Sequence, residues 1–203
     1  MKEHIPSAYN TNVFINCPFD EAYTPLFHAM IFAIAACGFT PRCAKEEDDS
    51  GDIRIKKIMA IIGECKYGVH DVSRFTGSTD LPRFNMPLEL GIFMGCVEFG
   101  NAPHSVKRYL VVDEKPFRYQ QFISDLSGQD TKSHGNSEEG MIRCIREWLG
   151  AKVRTRTLPH PSKLNEQYQE FLTELPTLCV ASDWTISELS FNEYSSLVSF
   201  WLV

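Results

Sequence analysis

Glu89 stands inside the apolar stretch Met86-Pro87-Leu88-Glu89-Leu90-Gly91-Ile92-Phe93, where an unpaired charge is costly to bury. Asp71 lies near the end of a second apolar run, Tyr67 to Val72. Two carboxylates brought to one crevice can divide the work at a glycosidic carbon. One serves as nucleophile or oxocarbenium stabiliser and the other handles the leaving group. Each also has a plainer role: Glu89 as a first-turn glutamate that complements the helix dipole, Asp71 as a cap or loop-ordering carboxylate. His70, beside Asp71, is either a general acid or a hydrogen-bonded packing residue. Arg42, Arg74 and Arg83 could fork a phosphate or pyrophosphate, or simply pair with the acids from Glu46 to Asp49.

Other chemistries lack their residues. No G-x-G-x-x-G or G-x-x-x-x-G-K-[ST] loop follows the first strand, which argues against an ordinary dinucleotide-dependent dehydrogenase or P-loop NTPase. There is no G-x-S-x-G elbow. The six histidines show no H-x-x-x-H or H-E-x-x-H spacing, so no metal site is expected. Seven cysteines with no C-x-x-C pair fit buried thiols better than a disulfide framework or zinc. Two polar segments read as loop and solvated surface: Asp125 to Asp130 with His134, which could also form a lid, and the basic run Arg143, Arg146, Lys152, Arg154 and Arg156.

The elements that must position these residues follow from patterning. Asn12 to Asn16 is a β-branched and aromatic run closed by Cys17-Pro18, and proline ends the strand. Tyr23 to Cys37 is nearly free of charge and is followed by Gly38 at a helix C′ position, predicting a buried helix of about four turns. Phe39 to Ala44 reads as a second strand. Asp52 is placed to cap a helix running to Glu64-Cys65, and Tyr67 to Val72 is the third strand. A loop from Ser73 to Asn85, with Gly77 and Pro82, leads to a helix with Pro87 in its first turn. Arg108 to Asp113 is a fourth strand, Tyr119 to Leu126 and Glu138 to Leu149 look helical, and the linker at Pro159 and Pro161 precedes helices over Leu164 to Leu175 and Ser187 to Leu202.

Alternating strands and helices at this spacing imply an α/β, Rossmann-like (flavodoxin-like) parallel sheet of about four to five strands flanked by helices, with a C-terminal helical extension. The α/β core is expected over residues 10–126 and a mainly helical extension packed on it over 127–203. In such a sheet the ligand crevice lies beyond the carboxyl ends of the strands. The segments to watch are therefore Asn16 to Asp20, Arg42 to Asp52, His70 to Arg74 and Asp113-Glu114, with Glu89 if its helix starts at the same edge.

The chain has 203 residues, 43% hydrophobic and 23% charged, the make-up of an ordinary globular domain rather than a disordered one. Its longest apolar run, Ala29 to Cys37, is short of the ~20 residues a membrane helix needs. Met1 to Pro6 has no apolar signal-peptide core, so a cytoplasmic location is expected. A net charge of −6 gives no general attraction to nucleic acid or anionic lipid. The terminal Phe200-Trp201-Leu202-Val203 must pack on the body, on another copy or on a partner protein.

In their order along the chain, Val13-Phe14-Ile15-Asn16-Cys17-Pro18-Phe19-Asp20, then Asp71, then Pro87-Leu88-Glu89-Leu90-Gly91, resemble the nucleoside 2-deoxyribosyltransferase-like group and the related bacterial TIR-like proteins. The resemblance spans roughly Asn12 to Val112. It implies cleavage of an N-glycosidic bond, with NAD first and a nucleoside or nucleotide second as substrate, no separate cofactor, and a setting in bacterial antiphage defence. By position it implies Glu89 at C1′ of the ribosyl group, Asp71 at the base, and Asp20 and Tyr23 at the sugar. Asn16, Pro18, Phe19, Arg42, Ser73, Arg74 and Asn85 complete the expected binding set. The sequence departs from the pattern in having Asn85-Met86-Pro87 where the group has glycine-threonine before the glutamate, and Cys17 where it has glycine. A nucleotide-binding or signalling module without turnover is the alternative from another class, and both families favour self-association.

Overall fold

The computed structural model describes residues 8–47, 51, 53–74, 83–153 and 157–203. Among these residues five strands form one sheet: β1 (Asn12–Asn16), β2 (Thr40–Cys43), β3 (Tyr67–Asp71), β4 (Arg108–Asp113) and β5 (Lys132–Ser133). Their order is β2-β1-β3-β4-β5 and every pairing is parallel. Among the described residues six α-helices accompany them: α1 (Thr24–Ala36), α2 (Arg54–Gly63), α3 (Asn85–Phe99), α4 (Glu138–Gly150), α5 (Pro161–Ala181) and α6 (Phe191–Trp201). The fold is the flavodoxin-like, doubly wound member of the Rossmann-like α/β class.

Side chains alternate across each strand, and this sorts the core into two sides. Val13, Ile15, Val69, Leu110 and Val112 join one large cluster with α1, α4, α5 and α6. Phe14 packs with Ile58, Ile61, Ile62 and Phe93 of α2 and α3, while Val72 and Val111 pack with Leu90, Tyr119 and Leu126. Helix α1 is apolar on every side because it lies between the sheet and a second helical layer. It ends as expected at Gly38, whose φ of 70° closes a Schellman pair: Phe39 N–H donates to Ile34 and Gly38 N–H to Ala35.

Several boundaries differ from the expectation. The loop from Gly128 to Asn136 contains β5, which pairs with Val112 and Asp113, so the sheet takes a strand from the 127–203 segment. Tyr119 to Leu126 forms two 3-10 turns, Arg118–Gln121 and Ser124–Leu126, in place of a helix. The backbone there closes through i→i+3 bonds, such as Leu126 N–H to Ile123. Helix α3 starts at Asn85, since Phe84 already has helical geometry and accepts from Leu88 N–H. The residue capping α2 is Ile53, with no side-chain cap; Asp52, Gly77 and Pro82 lie outside the described residues. Pro161 opens α5, and α6 begins at a Ser190–Glu193 capping box. Among the described residues no helix is long and apolar enough to cross a membrane.

Candidate functional site

In the order β2-β1-β3-β4-β5 the chain reverses direction across the sheet between β1 and β3, and the crevice of such a sheet opens at that point. Asn16 and His70 are register partners there. The Asn16 amide is buried and donates from Nδ2 to the Met86 carbonyl at 2.8 Å and to His70 Nδ1 at 3.0 Å, tying the end of β1 to the first turn of α3. Accepting at Nδ1 fixes the His70 proton on Nε2. Burial pulls the His70 pKa down to about 3, so the ring is neutral. Its Nε2 faces Gly68, where a Cβ would lie 2.7 Å away, and its ring meets Phe93 edge-on at 5.1 Å. His70 is thus a packing residue. Asn16, expected to bind substrate, has its Nδ2 engaged by Met86 and His70.

Asp71 points to the opposite side of the sheet and is fully enclosed. Its Oδ2 accepts from the Tyr23 hydroxyl, and Oδ1 accepts from Ser73 N–H at 2.6 Å. His134 brings Nε2 to 3.1 Å from Oδ2, while its Nδ1 accepts from Asn136 N–H. Burial alone would raise the Asp71 pKa; His134, the Ser73 N–H and the Tyr23 hydroxyl outweigh it and hold the carboxyl below its ordinary value. Burial and the neighbouring Asp71 charge in turn push the Tyr23 phenol up. An enclosed, ionised Asp71 has no proton to give a departing base, which leaves orienting it as the other part of its expected role, and its partners use it to order the loops after β1, β3 and β5.

Asp20 draws the two crevice arginines together: Arg74 Nη1 donates to Oδ1 at 2.8 Å and Arg83 Nη1 to Oδ2 at 2.6 Å. The Arg74 guanidinium also lies 5.5 Å from the Tyr23 ring centre. Arg42 is turned away, bound through Nε to Glu46 at 2.8 Å and through Nη2 to Glu64 at 3.0 Å, so the structure does not bring it to the crevice. Phe19 packs edge-on against Phe27 at 5.3 Å with the Lys45 ammonium above it. Pro18 and Ser73 are buried and Asn85 is exposed at the start of α3.

Glu89 lies two residues past Pro87 in α3, 7% exposed, with no hydrogen bond to any described residue. Burial pushes its carboxyl up to about 7, and Arg54 counters in part. The buried Cys17 thiol is raised first by desolvation and then by Asp71, Cys43 and Glu89. Two contributors were not legible in advance. Arg118 binds the Ser73 carbonyl and, at 2.6 Å, the buried Asp113 carboxylate. Beside it Phe117 adopts a left-handed backbone with φ of 61° while 68% exposed. His134 was singled out only as part of a polar loop.

Among the described residues no group of three or more His, Cys, Asp or Glu side chains is gathered as a metal site. An open groove of about 940 Å³ between α1, α5, α6 and the loop after β2 includes neither Asp71 nor Glu89. Fold and strand order together define a doubly wound α/β domain of the flavodoxin-like kind. Comparison of the chain with models of known protein families, with curated proteins and with solved structures finds no match.

Proposed function

We propose that this chain cleaves the N-glycosidic bond of a nucleotide, with NAD first among substrates and a free nucleoside or nucleotide second. The observation that carries the proposal is the setting of Glu89: a buried carboxyl without a hydrogen bond to any described residue, early in α3, next to the turn that Asn16 ties to the end of β1. The resemblance of Cys17-Pro18-Phe19-Asp20 and Glu89-Leu90-Gly91 to the deoxyribosyltransferase-like and TIR-like groups supports it, and supports a role in bacterial antiphage defence.

In this mechanism ionised Glu89 stabilises positive charge at C1′ or bonds to it. The C1′–N bond breaks and its electron pair leaves with the base. Water, a second base or an internal hydroxyl then adds at C1′ and gives up its proton. The desolvation that raises the Glu89 pKa also leaves the carboxylate poorly solvated and reactive near neutral pH. Asp71, Tyr23 and the Asp20 pair with Arg74 and Arg83 act by positioning the wall around the sugar. One observation favours the rival, a nucleotide-binding module without turnover: the second carboxylate expected to share the chemistry is locked by Tyr23, Ser73 and His134.

The test is chromatographic detection of base release from NAD, NADP and a panel of nucleosides and nucleotides, using wild type and Glu89→Gln. The expected result is release that falls at least ~100-fold in the variant, rises with pH through about 7, and leaves ligand-induced melting shifts intact. Release that survives Glu89→Gln overturns the assignment. Melting shifts without any release favour the binding module.

A further inference from the structure

We infer that the outward face of α3 is a homodimer interface, on which α3 of a second copy packs antiparallel. The inference is independent of the functional proposal. At 3.6 residues per turn, Phe84, Leu88, Gly91, Ile92, Gly95 and Phe99 fall within an arc of about 100° that runs roughly 22 Å along the helix. Phe84 is 66% exposed, Leu88 55% and Phe99 88%. The helix has no polar outer face: Glu89 is turned inward, and Asn85 and Glu98 flank the stripe.

The two glycines sharpen the point. A Cβ at Gly91 or Gly95 would meet nothing within 4 Å, so nothing inside the subunit requires a glycine. Each nevertheless costs helix stability, about 1 kcal/mol relative to alanine. Smoothness at the middle of the stripe has a use only if another backbone approaches there.

A second copy fits this surface because the stripe is self-complementary, as an isologous interface demands. Bulky side chains lie at both ends and glycines at the centre. An antiparallel two-fold between Gly91 and Gly95 therefore sets glycine against glycine and Phe99 of each copy over Leu88 of the other. The arc carries no charge, so two chains of net charge −6 meet there without like-charge contact. The side chains expose on the order of 500 Å² of apolar surface. That matches the apolar share of the ~800 Å² per partner buried in a standard interface.

The experiment is sedimentation equilibrium of the full chain from about 1 to about 100 µM, for wild type, Gly91→Arg and Leu88→Lys, with circular dichroism and melting curves alongside. A dimeric wild type and monomeric variants with unchanged helix content are expected. The arginine reaches into open solvent within one subunit, so folding is preserved; Leu88→Lys repeats the test at a position already half exposed. A wild type that stays monomeric over the range, or variants that stay dimeric, overturns the inference.

Discussion

The two faces of the sheet are built differently. On one, α1 is covered in turn by α4, α5 and α6, and a single apolar cluster runs from Val13 to Val198. On the other, α2 and α3 form one layer over two small clusters, and Ile53, Met59, Leu88 and Phe99 remain open to solvent. The difference is carried into the site. Asp71 points into the thick face and is wrapped and ionised, whereas Glu89 lies in the thin layer, desolvated and without a hydrogen bond to any described residue. Stability is concentrated on the first face. The proposed reaction and the proposed dimer contact both fall on the second, where burial is incomplete.

Matched core deletions put the largest strain on this comparison. Phe32 packs at 5.1 to 5.9 Å from the rings of Tyr168, Phe171 and Trp201. Phe93 meets His70 and Tyr109 under a single helical layer. Both are fully buried. Phe32→Ala is expected to cost about 5 kcal/mol and Phe93→Ala about 3, because a thin layer relaxes more readily around the space left behind. Urea unfolding measures both. Equal losses would erase the energetic distinction between the faces.

Glu89→Gln probes the thin face next, and its sign is opposite to that of an ordinary carboxylate. The folded-state pKa of Glu89 is raised from 4.5 to about 7. Its ionisation is therefore easier in the unfolded chain, and stability held below pH 4.5 is lost as pH rises through 7. At pH 8 the glutamine variant should be more stable than wild type by about 2 to 3 kcal/mol. The advantage should vanish at pH 4. A variant less stable than wild type at pH 8 would mean that Glu89 has a stabilising partner and is not poised for chemistry. Asp71, with its pKa lowered, behaves in the ordinary sense: its contribution is present above its unfolded value of 3.8 and is lost as pH falls through the folded one.

Elements with strong local signals were legible at once. Asn12–Asn16 and Arg108–Asp113 are apolar runs with sharp ends, and Gly38 punctuates α1 as a C′ glycine must. The strand Lys132–Ser133 was not legible, because two polar residues have no periodicity and are strand only through pairing with Val112 and Asp113. The same divide runs through the site. A carboxylate inside an apolar helix is visible by residue type, so Glu89 stood out. The enclosure of Asp71 depends on Tyr23 and His134, and the anchoring of Ser73 on Arg118, 45 residues away. Such partners are chosen by topology. Spacing cannot reveal them, and for the same reason the acids from Glu46 to Asp49 stood as the partners offered to Arg74 and Arg83, although Asp20 holds both.

The smallest expected effect is at Arg42, on the same side of the sheet as Phe14, its neighbour on β1. Its guanidinium joins Glu46 to Glu64, with the three side chains 22%, 11% and 45% exposed. Partly exposed pairs of this kind contribute modestly, so Arg42→Ala should cost about 0.5 to 1 kcal/mol and less in high salt. Because the arginine is engaged by two glutamates, the variant should leave nucleotide-induced melting shifts and base release unchanged. A selective loss of affinity for phosphorylated ligands over free nucleosides would show instead that Arg42 leaves Glu46 to take up phosphate. The crevice would then extend past β1 to β2, and the thin face would contribute a binding arm as well as its carboxylate.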